Sequence, residues 1–190
     1  MEYDGLHRVI SGGQTGADQG GLVAAWRAGL ETGGQAPTLF KTQGGYSPIL
    51  EVLGLVPGGD FKSRTIDNIR DSDATILLAY NMVSPGSVLA IKTATLLKKP
   101  LLRVDISNIL AYVSNLKEDL YPYRSNIANA ALVVCDFIVD NEIRVVNIAG
   151  NRELAGDGLP HNTSIIHKIV DAVMTRAFFL LKERNHLICK

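Results

Sequence analysis

Ser11-Gly-Gly-Gln-Thr-Gly-Ala-Asp18-Gln-Gly-Gly21 follows the apolar pair Val9 and Ile10 and opens an apolar-patterned stretch from Ala17 to Leu30. A strand that runs through glycines straight into a helix leaves backbone N–H groups unpaired at the helix N-terminus, where the helix dipole also favours negative charge. Such a junction is an anion cradle, and phosphate is the expected anion. A Cβ at Gly12, Gly13 or Gly16 would hold a ligand off the backbone or forbid a positive φ. Gln14, Thr15 and Asp18 complete the candidate ligand set of this loop. Thr15-x-x-Asp18 has a second reading, as a capping box that simply starts the helix.

A chain of 190 residues that is 46% hydrophobic is long enough for one compact domain, and a single domain over 1–190 is expected. Its 19 basic and 19 acidic residues cancel, so no basic field attracts a nucleic acid or an anionic membrane. Cys135 and Cys189 lie far apart without CxxC or Cys/His spacing, which argues against a zinc site and against a disulfide framework. No metal site is expected. The start, Met-Glu-Tyr-Asp, lacks the basic and apolar pattern of a signal peptide, and no apolar run reaches the roughly 18 residues of a membrane span. A cytoplasmic protein is expected.

Short apolar runs followed by turns and helical patterns predict strands at Leu6 to Ile10, Ala74 to Tyr80, Leu101 to Val104 and Arg144 to Ile148. The predicted helices are Ala17 to Ala28, Lys62 to Arg70, Ser87 to Lys98, a stretch within Ser125 to Val139, and Asn162 to Arg184. Alternating strands and helices joined by right-handed crossovers imply an α/β Rossmann-like three-layer sandwich with a mostly parallel sheet. The Gly- and Pro-rich section from Glu31 to Gly59 reads either as a flap or as a strand without clear periodicity, and Ser107 to Tyr123 is similarly open. The last helix is apolar over an arc wider than the roughly 100° one sheet face needs, which predicts a symmetric oligomer using part of it. Burial between the sheet and a neighbouring segment is the alternative.

In an open parallel sheet, ligands bind outside the carboxyl ends of the strands. The glycine loop is one such segment. Asn81-Met-Val-Ser84-Pro85-Gly86-Ser87 is the second, with Ser84 as an N-cap and Pro85 at the first helical position. Asn147-Ile-Ala149-Gly150-Asn-Arg152-Glu153 is the third: Gly150 permits close approach, Arg152 offers a forked donor and Asn147 an amide. Before the strand at Ala74, Arg64, Thr65 and Asn68 lie near a helix start and join the candidate set. Ile66 and Ile69 mark that helix's buried side, which predicts varied directions for Arg64, Asn68 and Arg70. Asp71 and Asp73 fall at the wrong end of the strand and read as a turn and cap device.

Ser11 to Asp18, Arg64-Thr65 with Asn68 and Asp71 to Thr75, Ser84 to Ser87, Lys99-Pro100, and Val146 to Gly150 with Arg152 and Glu153 occur in the order seen in molybdenum cofactor carrier proteins. The chain thus resembles the circularly permuted YpsA-like branch of the SLOG superfamily, relatives of the Lonely Guy phosphoribohydrolases. The resemblance implies a Rossmann-like fold, a nucleotide or pterin-phosphate ligand in the crevice, and a homo-oligomer, a homodimer or homotetramer. Two departures matter. Asn151 stands where the family usually has proline, which predicts a freed N–H and a looser turn. Ser84-Pro-Gly-Ser87 is followed by Val88-Leu-Ala-Ile91 without the catalytic glutamate of Lonely Guy enzymes, which disfavours that activity.

The expected function is therefore a binding or carrier protein for a phosphorylated small molecule, molybdenum cofactor or nucleotide, held by strand-to-helix loops. The competing enzyme hypothesis makes the chain a nucleotide hydrolase in which Asp18 or Glu153 acts as general base or holds Mg²⁺. A third hypothesis is a sensor or sink for a nucleotide-derived signal. The binder ranks above the enzyme because several backbone donor loops occur with no carboxylate pair fixed by spacing.

Overall fold

The computed structural model describes residues 4–113, 124–152 and 165–188. In chain order the elements are β1 (Arg8–Ser11), α1 (Ala17–Arg27), β2 (Glu31–Ala36), β3 (Lys41–Thr42), β4 (Gly45–Tyr46), α2 (Ile49–Val52), β5 (Leu55–Pro57), α3 (Phe61–Arg70), β6 (Ala74–Ala79), α4 (Pro85–Leu96), β7 (Leu101–Asp105), α5 (Ser107–Val113), α6 (Arg124–Asp140), β8 (Val145–Gly150) and α7 (Ile165–Glu183). Six strands form one parallel sheet in the order β5-β2-β1-β8-β6-β7. The chain is an α/β Rossmann-like sandwich.

Strand β6 explains why the layers form. Its sequence Ala-Thr-Ile-Leu-Leu-Ala is buried at every position. Because side chains alternate across a strand, Ala74, Ile76 and Leu78 enter one core with Val134 and Ile138 of α6 and Val170 and Val173 of α7. Leu77 and Ala79 point the other way, against Ile69 of α3 and Ala90 and Ala94 of α4. A strand covered on both faces has to be apolar throughout.

The open section from Glu31 to Gly59 contains two sheet strands, β2 and β5, with the β3–β4 hairpin and α2 between them. Strand β2, Glu-Thr-Gly-Gly-Gln-Ala, shows no apolar alternation because its neighbours leave no room for side chains. A Cβ on Gly34 would sit 2.3 Å from the Ser11 carbonyl oxygen, and one on Gly33 would sit 2.8 Å from Arg8 Nη2. Of Ser107 to Tyr123, the first part is α5, and residues 114–123 lie outside the described set.

The wide apolar arc of α7 is consumed within the chain. Ile166, Ile169, Val170, Val173, Met174, Ala177, Phe178 and Leu181 are all buried. Helix α7 packs between α1 and α6 as well as on the sheet core, and α1 comes so near at Gly20 that a Cβ there would lie 2.7 Å from the His167 carbonyl oxygen. A helix flanked on both sides needs a wider arc than one lying alone on a sheet, which accounts for most of the arc within one chain, while Phe179 stays 48% exposed. No helix among the described residues is long and apolar enough to cross a membrane.

Asp73 is the turn device its position suggested. Its Oδ2 accepts the N–H groups of Arg144 at 2.9 Å and Val145 at 2.7 Å, which fixes the entry of β8 beside β6. Placing β8 between β1 and β6 brings the loop after β8 between the two other loops that leave the same sheet edge.

Candidate functional site

A cleft of about 250 Å³ opens at the carboxyl edge of β1, β8 and β6, where the glycine loop, the start of α3, the start of α4 and the end of β8 meet. Of the predicted residues, Gly12, Gln14, Asp18, Arg64, Thr65, Asn68, Pro85, Gly86, Asn147, Ala149, Gly150 and Arg152 line it. Gly13, Thr15, Gly16, Ser84 and Ser87 are not among the lining residues and shape the loops from behind. Glu153 lies outside the described residues.

The N-cap of α1 is Gly16, with φ +94° and no side-chain capping bond, so Thr15 does not cap the helix. Starting one residue later puts Asp18 in the first turn, where its Oδ2 accepts the Gln14 N–H at 3.1 Å and lies 3.7 Å from Arg64 Nη1. Both partners are buried. Burial pushes the Asp18 carboxyl above the usual carboxylate range, opposed by the Arg64 charge and the Gln14 N–H. Burial likewise pulls the Arg64 guanidinium down, with Asp18 opposing and Arg152 reinforcing the shift. Arg64 Nε and Thr15 Oγ1 are buried without a hydrogen-bond partner among the described residues.

Gly12 and Gly13 face opposite ways. A Cβ on Gly12 would strike the Arg64 guanidinium, whereas one on Gly13, at φ +71°, would meet Leu55 and Leu50 in a small core beneath the loop. Gln14 turns its amide outward to the β3–β4 hairpin, donating from Nε2 to the Lys41 carbonyl at 3.4 Å and accepting the Gln43 N–H at 3.2 Å.

Arg64 and Asn68 are four residues apart and share the inward face of α3, which corrects the expectation of varied directions for that pair, while Arg70 does point elsewhere. Asn68 is committed to β2: its Oδ1 accepts the Gln35 N–H at 2.7 Å and its Nδ2 donates to the Gln35 carbonyl at 3.2 Å. Thr65 donates to the Phe61 carbonyl at 2.8 Å. Arg70 is exposed and ion-paired to Asp67 and Asp71, away from the cleft.

Ser84 caps α4 as its sequence predicts, accepting the Ser87 N–H at 3.3 Å, with Pro85 first in the helix. The two hydroxyls bond each other at 2.9 Å, and Ser87 Oγ donates to the Asn81 carbonyl at 3.0 Å. The cap is therefore internally satisfied, and Pro85 and Gly86 present its surface to the cleft.

Asn147 donates from Nδ2 to Thr75 Oγ1 at 3.2 Å across the β8–β6 pair. Asn151 does not loosen the turn. Its Oδ1 accepts the Asn81 N–H at 2.8 Å, while its Nδ2 reaches the Asn81 carbonyl at 3.2 Å and Ser84 Oγ at 3.1 Å. Its own carbonyl accepts the Ala17 N–H at 3.1 Å, so one buried asparagine ties together the loops after β1, β6 and β8.

Phe61 and Lys62 also line the cleft and escaped the sequence reading. Asp60 caps α3 by accepting the Lys62 and Ser63 N–H groups at 3.0 and 2.7 Å, which sets Phe61 at the first helical position. A capping aspartate followed by an aromatic and a lysine at a helix start was the available signal. Among the described residues no group of three or more His, Cys, Asp or Glu side chains is arranged to hold a metal ion.

The family model described as "Circularly permutated YpsA SLOG family" matches residues 9–170, a span that holds every lining residue. The chain is also similar to the crystal structure of a "Putative molybdenum carrier protein" from Syntrophus aciditrophicus SB, with a TM-score of 0.71 and 30% identity over 93% of this chain and 97% of that one. No curated protein matches. A match over most of the chain, a fold likeness covering nearly all of both chains, and three ordered loops meeting in one cleft lead to one conclusion: the chain belongs to the circularly permutated YpsA SLOG family.

Proposed function

We propose that this chain is a binding or carrier protein for a phosphorylated small molecule, a pterin phosphate of the molybdenum cofactor type before a nucleotide. The observation that carries the proposal is Arg64, a guanidinium 6% exposed with its Nε unpartnered among the described residues, aimed into a cleft whose floor at Gly12 is bare backbone. A buried donor left without a partner costs roughly 1–3 kcal/mol, more when it is charged, and an anionic ligand removes that cost.

The residues fit such a group. Arg64, Arg152 and Lys62 would hold a phosphate, and Pro85, Leu89 and Ala149, which line the same cleft, give a flat ring an apolar surface. The similarity to a protein described as a molybdenum carrier supports the same ligand class. Mass spectrometry of small molecules released from the purified, denatured protein, with molybdenum analysis alongside, tests it. A phosphorylated pterin or nucleotide near one per chain is expected. An empty protein that binds no member of a pterin-phosphate and nucleotide panel in calorimetry overturns it.

One observation favours a second function, nucleotide hydrolysis. A carboxyl held above its usual range by burial, as Asp18 is, suits a general base or acid. Turnover of the panel, with or without Mg²⁺, that Asp18→Asn removes while leaving binding in place would establish the enzyme over the carrier.

A further inference from the structure

Phe61 is 46% exposed, large and apolar, and lines a cleft that also holds Arg64, Arg152 and Lys62. Two guanidinium groups converge on its ring: Arg64, from the next turn of α3, with Cζ 5.4 Å from the ring centroid, and Arg152, from the loop after β8, at 4.9 Å. Distances within about 6 Å let the ring's negative face attract a cation. The two cations oppose each other, and Arg152 disfavours the charged form of Arg64. Among the described residues Asp18 is the one carboxylate lining the cleft, at 3.7 Å from Arg64, and Lys62 adds a third cation. An aromatic face holds guanidinium groups together without neutralising them, so their charge stays available to a ligand. A singly charged ligand leaves that excess unmet.

We propose that Phe61 is the positioning residue that gathers Arg64 and Arg152 around one doubly charged phosphoryl group. The inference rests on the phosphate-binding function proposed above and extends it to the ligand's charge and to a residue that selects for it. A phosphate monoester or terminal diphosphate satisfies it, and a phosphodiester does not.

The probes are methyl phosphate and dimethyl phosphate, which differ by one methyl group and one charge at about pH 8, above the second phosphate ionisation near 6. In calorimetric or NMR titration, the wild type is expected to prefer methyl phosphate by about tenfold or more, since charge-assisted donors meet a second ionised oxygen. Phe61→Leu keeps the apolar bulk and removes the ring. It should weaken methyl phosphate by about fivefold or more, while Phe61→Tyr stays within about twofold of wild type. In the Arg152→Ala background, Phe61→Leu should cost less than in the wild type, because one of the groups it positions is gone.

Equal binding of the two probes by the wild type overturns the charge assignment. Wild-type affinity in a folded Phe61→Leu, or no recovery in Phe61→Tyr, overturns the role of the ring. In both cases the released-ligand measurement still judges the binding function independently. If the wild type binds neither probe yet releases a phosphorylated ligand, the dianion site is wrong and the carrier function stands.

Discussion

Gly12 and Arg64 touch as backbone and guanidinium: a Cβ added to Gly12 would lie 1.5 Å from Arg64 Nη1 and 2.8 Å from Cζ. The clash falls on the end of the flexible Arg64 side chain and, at 2.9 Å, on Asp18 Oδ2, so the fold tolerates it by moving side chains and the site does not. Gly12→Ala is expected to expel Arg64 from the cleft and lower affinity for the released ligand by about tenfold or more, the loss of a hydrogen bond to a charged group. The melting temperature should stay within a few degrees. Unchanged affinity in calorimetry removes Arg64 from the site.

Gly13→Val should act differently although the two glycines are adjacent. Its Cβ points at Leu55 Cδ2, 2.8 Å away, and at Leu50, 3.1 Å away, and the backbone sits at φ +71°. A branched residue there combines overpacking with left-handed strain, each costing about 1–3 kcal/mol. Urea unfolding should show a fall in that range or larger. Wild-type stability with binding lost would mean that Gly13 faces the ligand after all.

Asn151→Ala removes the amide that joins the loops after β6 and β8 and leaves the Asn81 N–H, formerly bonded at 2.8 Å, without its acceptor. A loss of about 0.5–1.5 kcal/mol is expected, the net worth of a hydrogen bond whose partner water can reach. Asn151→Asp keeps an acceptor for Asn81 but buries a carboxylate whose second oxygen faces the Asn81 carbonyl, so its cost should be larger. Equal stability of all three proteins in urea would reduce the Asn151 network to surface contacts.

Asp18 has a signed pH signature. Its folded carboxyl is raised above the ordinary value of 3.8 by burial, so between the unfolded and folded values the native state holds the extra proton. Stability from this group is therefore greatest at or below the unfolded value and falls as pH rises towards the folded one. The stability of wild type relative to Asp18→Asn should decline with pH from just under 4 upwards and then level off. A difference that instead rises with pH would mean that Arg64 and the Gln14 N–H outweigh burial.

Local chemistry wrote the parts of this protein that could be read from the chain. The nearly continuous apolar run of β6, broken only by Thr75, is the mark of a strand covered on both faces, and Ser84-Pro85 carries a helix start in adjacent residues. The three loops that form the cleft were visible for the same reason, since glycines and caps act over a few bonds. Strand β2 was hidden because its form comes from what surrounds it: Gly33 and Gly34 are small to make room for Arg8 and Ser11, and no periodicity encodes that. The opposed directions of Gly12 and Gly13, the commitment of Asn68 to Gln35, and the meeting of Phe61 with Arg152 depend on residues remote in sequence. The meeting of Phe61 with Arg152 follows from β8 lying between β1 and β6, and the other two from α3, α2 and β5 packing beside β1 and β2, because long-range contacts determine which segments become neighbours.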